Sequence, residues 1–155
     1  MSNNEEVRQE LVGDSGLEVR PEFVIGLRGV VRWPVRAFAV EYTDFGYLDT
    51  VYWIDGSAIG VYKFHSEKAI STVIRPLSAV SSVSVISAVD VDGFSRGRLH
   101  QGITIRFGSG GEEPIDADID ISDTDDRQHV SELSKDFIAA VLNAVAGDVA
   151  PSVHN

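Results

Sequence analysis

The chain has 155 residues and a net charge of −11 at neutral pH, and it contains no cysteine. An acidic chain repels a phosphate backbone, so we expect no general nucleic-acid binding. The absence of thiols excludes disulfides, thiolate metal ligands and cysteine nucleophiles, and no run approaches the roughly 18 apolar residues that predict a membrane-spanning helix.

The charge is unevenly distributed along the chain. Residues 1–22 hold six acidic and two basic residues, and residues 112–155 hold eleven acidic and two basic ones. The middle of the chain, residues 23–111, has nine basic residues against seven acidic ones. The two ends of the chain therefore carry the negative charge, and the middle has a net charge of +2.

The first residues are polar and acidic. Residues 1–20 contain few large apolar side chains and no sustained periodicity, which predicts a flexible acidic leader. We expect a single domain over residues 21–147 and, after Gly147, a disordered tail over residues 148–155. The polar start shows no secretory signal pattern, so we expect a cytoplasmic protein.

Residues 23–40 are ambiguous. Two glycines and Pro34 argue against a long helix and favour an extended chain. Arg28, Arg32 and Arg36 are four residues apart, a spacing that suits a basic stripe on a helix and also places them on one side of an extended chain. The glycines and Pro34 favour the extended interpretation.

A regular pattern begins after this segment. The runs Tyr47–Ile54 and Ser57–Phe64 are rich in aromatic and β-branched residues, and the Asp55-Gly56 pair between them predicts a tight hairpin. Two further strands are predicted over Ala69–Ile74 and Val80–Val91.

The strand over residues 80–91 alternates between apolar and small polar residues. Alternation with period two predicts one buried face and one exposed face. The predicted inward face consists of Val83, Val85, Val89 and Val91, together with Ser87. We expect a loop from Asp92 through Arg98.

The last predicted hairpin shows the strictest alternation. Leu99–Phe107 and Ile115–Ser122 each alternate, so the isoleucines of both arms should face the core. A three-residue connection at Ser109–Gly111 would pair Ile105 with Ile115. A slip of one residue would turn every isoleucine outward.

The periodicity then becomes helical. Apolar residues recur at steps of three and four, which predicts an amphipathic helix. This apolar stripe consists of Val130, Leu133, Phe137, Val141 and Ala144 or Val145. Residues 124–126 offer N-caps and Gly147 a stop. The whole pattern predicts a mainly β (α+β) fold, a bent antiparallel sheet or partly open barrel of about seven strands capped by one C-terminal amphipathic helix.

This order of elements resembles the pleckstrin-homology-like (PH-like) fold. The stretch Val73–Val83 (VIRPLSAVSSV) looks like the bacterial version, in which such a strand leads into the next, and the resemblance covers residues 37–146. The helix tryptophan of many eukaryotic members is absent, and Phe137 is the nearest large aromatic residue. The basic residues that bind phosphoinositides in some members have no matching motif here, so the resemblance implies no lipid-binding residues.

The aspartates and histidines suggest two kinds of site, a calcium-binding loop and an acid/base pair. A calcium-binding EF-hand loop begun at Asp116 would need glycine and glutamate where Ile121 and Arg127 stand. The predicted pairing of the last hairpin places His100 beside Asp120, where an acid/base pair would compete with an ordinary surface contact. We predict no catalytic residue, no metal site and no cofactor.

The remaining candidate residues are Arg96, Arg98 and Arg106. They would contact an anionic ligand or an acidic partner, or else balance the acidic segment that follows them. We expect a non-enzymatic protein-interaction or scaffold domain with an unknown protein partner and no stable membrane insertion, and the sequence leaves a homo-oligomer open. The alternative is a barrel that binds a small ligand or a lipid headgroup, and an enzyme is less favoured.

Overall fold

The structure, a computed structural model, describes residues 3–92, 96–108 and 118–149, with side chains at 3–90, 97–108 and 118–146. In these ranges seven strands form two antiparallel sheets that do not close into a barrel. The first sheet has the order β1-β2-β3-β4, and the second has the order β5-β6-β7. The predicted fold class is thereby confirmed.

The strands are β1 Ala37–Tyr42, β2 Leu48–Asp55, β3 Ala58–Ser66, β4 Ala69–Pro76, β5 Val80–Asp92, β6 Arg96–Phe107 and β7 Ile119–Ser122. The helices are α1 Asn4–Val12, α2 Pro21–Val30 and α3 Gln128–Val149, and a 3-10 turn at Leu77–Ala79 joins the two sheets. No helix in the described ranges is long and apolar enough to cross a bilayer.

The first predicted hairpin is confirmed. Asp55 pairs with Ala58 across a two-residue turn, and Gly56 has a φ of 59°, a left-handed conformation that favours glycine. The turn residues are therefore Gly56 and Ser57, one position later than predicted.

The helix α3 covers the gap between the sheets. Val130, Phe137 and Val141 are each less than 4% exposed. Phe137 and Val141 pack with Ile103, Ile105 and other residues of both sheets in one core cluster. The predicted apolar stripe therefore faces the core. The helix runs past Gly147 to Val149, so the predicted stop there is wrong; residues 150–155 of the predicted tail lie outside the described residues.

The prediction of a flexible leader over residues 1–20 is wrong. Asn3 and Glu6 form a capping box at the start of α1, and Val7 and Leu11 are fully buried. The carbonyl of Ser15 accepts a hydrogen bond from Arg127 at 2.7 Å. The segment folds because its few apolar residues pack into a second core cluster with α2 and the first sheet.

The extended interpretation of residues 23–40 is also wrong in its first half. Pro21 opens α2, where its fixed φ suits the first turn. The hydroxyl of Tyr62 donates to the carbonyl of Phe23 at 2.8 Å and fastens the helix to β3. Gly26 is required by this packing, because a Cβ there would overlap Tyr62. Arg28 therefore lies on a helix, whereas Arg32 and Arg36 lie on the loop that follows.

The contact between Gly60 and Trp53 gives a test of the first sheet. The two residues are paired on adjacent strands, and a Cβ at position 60 would overlap the indole of Trp53. We expect Gly60→Ala to lower the free energy of unfolding by about 1–3 kcal/mol in urea melts followed by tryptophan fluorescence. Gly29→Ala is the matched control, since a Cβ there meets nothing within 4 Å. Equal midpoints for the two variants would contradict the packing described.

Candidate functional site

The hairpin formed by β5 and β6 is longer than the core that it covers. The strands pair from Val80 and Phe107 to Asp92 and Arg96, a length of roughly 40 Å at 3.4 Å per residue. Where β6 contributes to the core, the inward residues Ile103 and Ile105 are buried. The inward face therefore begins inside the core and continues beyond it.

Toward the Asp92–Arg96 end of the hairpin, that inward face is exposed. The side chains of Val85, Val89 and Leu99 are 41%, 65% and 52% exposed, and Val89 lies opposite Leu99. We call these three residues the hairpin face. The alternation was predicted, but the expected burial of Val85 and Val89 was wrong. Ser87 and Gln101 lie between Val85 and the Val89–Leu99 pair on this face, and the three exposed apolar side chains form a candidate interaction surface.

Among the described residues, no strand pairs with the outer edge of β5. β5 is a terminal strand of its sheet, and Ile86, on the face opposite the hairpin face, is 75% exposed. β4 is likewise a terminal strand, with Ile70, Val73 and Ile74 between 40% and 54% exposed. Unpaired strand edges with apolar side chains are templates for pairing with another chain.

The three predicted arginines do not converge on one point. Arg98 and Arg106 lie on one strand eight positions apart, roughly 27 Å at the rise of an extended chain. Arg98 is paired with Asp90, and Nε of Arg106 lies 3.7 Å from a carboxylate oxygen of Asp118. The backbone of Arg96 lies opposite Asp92 at the start of β6, so residues 96–98 of the predicted loop are strand. Residues 93–95 and the side chain of Arg96 lie outside the described residues. These contacts favour charge balance over an anion site.

The pairing of the last hairpin differs from the prediction. Ile105 lies opposite Ile119, and Thr104 lies opposite Asp120. The isoleucines face inward as predicted, but the register is offset from the expected partner, and residues 109–117 lie outside the described ranges. The predicted three-residue connection at 109–111 lies within that segment.

The register also changes the surroundings of His100. Its Nε2 lies 3.8 Å from a carboxylate oxygen of Asp90, and its Nδ1 lies 3.6 Å from one of Asp123. The predicted neighbour Asp120 is not the partner. Asp123 is buried and accepts a hydrogen bond from the backbone N–H of Gln101 at 3.0 Å, so its carboxylate links β6 to the segment before α3.

An acidic groove lies where the sheets fail to close, between β1 and β7 and beside the start of α3. It encloses about 1030 Å³ and is lined by carboxylates and one cation. These charged residues are Glu41, Asp49, Asp120, Asp125, Asp126 and Arg127. Partial desolvation in the groove raises the pKa of Glu41, although a hydrogen bond from Tyr52 opposes this effect. Such a lining disfavours an anionic ligand.

Two of the groove residues have structural partners. The hydroxyl of Tyr42 donates to a carboxylate oxygen of Asp125 at 2.7 Å, and this bond raises the pKa of Tyr42. The guanidinium of Arg127 lies 5.4 Å from the centre of the Tyr42 ring. In the described part of the chain, no three His, Cys, Asp or Glu side chains are arranged to hold a metal ion.

No family model, curated protein or solved structure matches this chain.

Proposed function

We propose that the chain is a non-enzymatic protein-interaction domain of PH-like architecture, and that the β5–β6 hairpin is its interaction surface. The supporting observation is the exposed continuation of the core-side sheet face at Val85, Val89 and Leu99. Apolar side chains in strands normally face a core or a partner. No helix or strand in the described ranges covers these three side chains. Because they are apolar, a protein partner is the kind of ligand that they favour.

The alternative of an anionic lipid headgroup or small anion has less support. The groove is lined mainly by carboxylates, and Arg98 and Arg106 each have an acidic neighbour. Nearby opposite charges lower the potential that an anion meets. We therefore expect no appreciable co-sedimentation with anionic vesicles at about 0.15 M salt, where the Debye length is roughly 8 Å. Strong co-sedimentation that the triple change of Arg96, Arg98 and Arg106 to alanine abolishes would favour the lipid alternative.

The hairpin face can be tested with a single charge. We expect Leu99→Asp to weaken partner binding at least about tenfold, because a carboxylate would have to be desolvated at the contact. Proteins captured from a lysate of the source cells by the full chain would be identified by mass spectrometry, and the affinity of each would then be measured with the purified partner. Since Leu99 is 52% exposed, its change should leave the melting transition in place.

The matched control is Phe45→Asp in the turn between β1 and β2. Phe45 is 88% exposed and lies outside the hairpin. Partner binding should survive this change. If Leu99→Asp and Phe45→Asp bind the purified partner as well as the unaltered chain does, the hairpin is not the interaction surface.

A further inference from the structure

We propose that β5 pairs with β5 of a second copy of this chain, in an antiparallel arrangement centred on Ser87. This inference rests on the interaction role proposed above and names a second copy as one partner of the hairpin. The two three-stranded sheets would then form one continuous sheet across a twofold axis.

The edge of β5 lacks the usual protection against such pairing. Natural edge strands are kept apart by charge, proline, bulges or short length. β5 is a terminal strand of 13 residues, and residues 80–89 (VSSVSVISAV) contain no charged residue, proline or glycine. Its one register irregularity lies at the first end, between Val80 and Ser82. The uncharged stretch that follows can therefore accept a strand.

The sequence of β5 is symmetric about Ser87 on the side of the strand that includes Val85 and Val89. Val85 and Val83 precede Ser87 at steps of two residues, and Val89 and Val91 follow it at the same steps. Antiparallel pairing about Ser87 places Val85 opposite Val89 of the second copy, and these side chains are 41% and 65% exposed in the single chain. A shift of the pairing by two residues would place either Val85 or Val89 opposite Ser87, depending on its direction, so the apolar match favours the register centred on Ser87.

The opposite face adds charge complementarity in the same register. Asp90 would lie opposite Ser84 of the second copy. The Ser84 hydroxyl accepts a hydrogen bond from Nη1 of Arg106 at 3.3 Å, so the guanidinium already reaches over β5. The side chains of Asp90 and Arg106 are 76% and 52% exposed. Each copy would gain one ion pair, between its Asp90 and Arg106 of the second copy. This pair would compete with the neighbours of Asp90 in the single chain, Arg98 and His100, and with the contact of Arg106 with Asp118.

The pairing also covers Ile86, which would lie opposite Ala88 of the second copy. Pairing along one edge buries less surface than the roughly 1,200–2,000 Å² of a standard stable interface. We therefore expect a reversible equilibrium between monomer and dimer at micromolar concentrations.

The register can be tested with a cysteine at the twofold axis. Because the chain has no cysteine, Ser87→Cys in the full chain introduces a single thiol. Opposed residues of antiparallel strands have Cα atoms roughly 4.5–5.5 Å apart, which fits a disulfide. Mild oxidation should give at least about ten times more covalent dimer from Ser87→Cys than from Ser82→Cys, whose two copies would lie roughly 34 Å apart in this register.

Sedimentation velocity of the unaltered full chain over about 5–500 µM should show the mass shifting toward the dimer. Ile86→Lys should abolish this shift, and Ile74→Lys on β4, also exposed, should not. A chain that remains monomeric throughout, equal crosslinking at positions 82 and 87, or a dimer insensitive to Ile86→Lys would overturn the proposal. If the chain is monomeric while Leu99→Asp still weakens binding of a different protein, only the self-pairing is wrong and the interaction role stands.

Discussion

A chain that starts at Arg20 is expected to lose its cooperative unfolding transition. It lacks Val7 and Leu11, which are fully buried, and Val12, which is 3% exposed. Each fully buried aliphatic side chain contributes roughly 1.5–3 kcal/mol, whereas a whole domain is stable by roughly 5–15 kcal/mol. The loss is therefore a large share of the total, and the sheet surface under α1 becomes exposed. Urea melts and gel filtration of the truncated and full chains measure the effect.

Point variants separate packing from chain length. Leu11→Ala should lower the free energy of unfolding by roughly 2–5 kcal/mol, because it leaves a cavity in the core. Gln9→Ala, at an exposed position of the same helix, is the control, and its melting midpoint should not fall below that of the unaltered chain. A truncated chain that melts at the midpoint of the full chain would show that α1 is dispensable after all.

Replacement of Phe137 by alanine is expected to destabilise the fold by roughly 3–5 kcal/mol. Phe137 is fully buried and packs in the cluster that both sheets and α3 share. Removing its ring leaves a cavity at the point where the helix covers the gap between the sheets. The free energy of unfolding from urea melts gives the loss directly.

The control on the same helix is Asn143→Ala, at an exposed position. This change should leave stability unchanged or slightly improved, since alanine is the best helix former. A loss below about 1 kcal/mol for Phe137→Ala would mean that the helix does not plug the sheets.

The two N-terminal helices show why short helices escape sequence patterns. The capping residues Asn3 and Glu6 have the spacing of a capping box, and Pro21 stands where a helix can begin. These signals are local and weak, and a helix of ten residues is marginal by itself. The glycine at position 26 argued against a helix in the sequence. It lies in α2 because Tyr62 occupies the space that a Cβ would need. Only the tertiary contact explains that glycine.

The last hairpin shows the limit of strand patterns. Alternation determined that Ile103, Ile105, Ile119 and Ile121 face inward, and all four are buried. It could not determine which isoleucine lies opposite which, because every offset of two residues keeps the same faces. The tertiary structure decided the register, in which Ile105 lies opposite Ile119.

The sequence by itself therefore determined the strand faces, the tight turn at Gly56 and the apolar stripe of α3. Those features follow from the geometry of a single strand, turn or helix, in which the side-chain direction is set by neighbouring residues. The tertiary structure decided how much of each apolar face is covered. Val83 and Val89 occupy the same face of β5, but Val83 packs against the core while Val89 extends into solvent. Coverage depends on how far the opposing layer reaches, and no local pattern contains that distance.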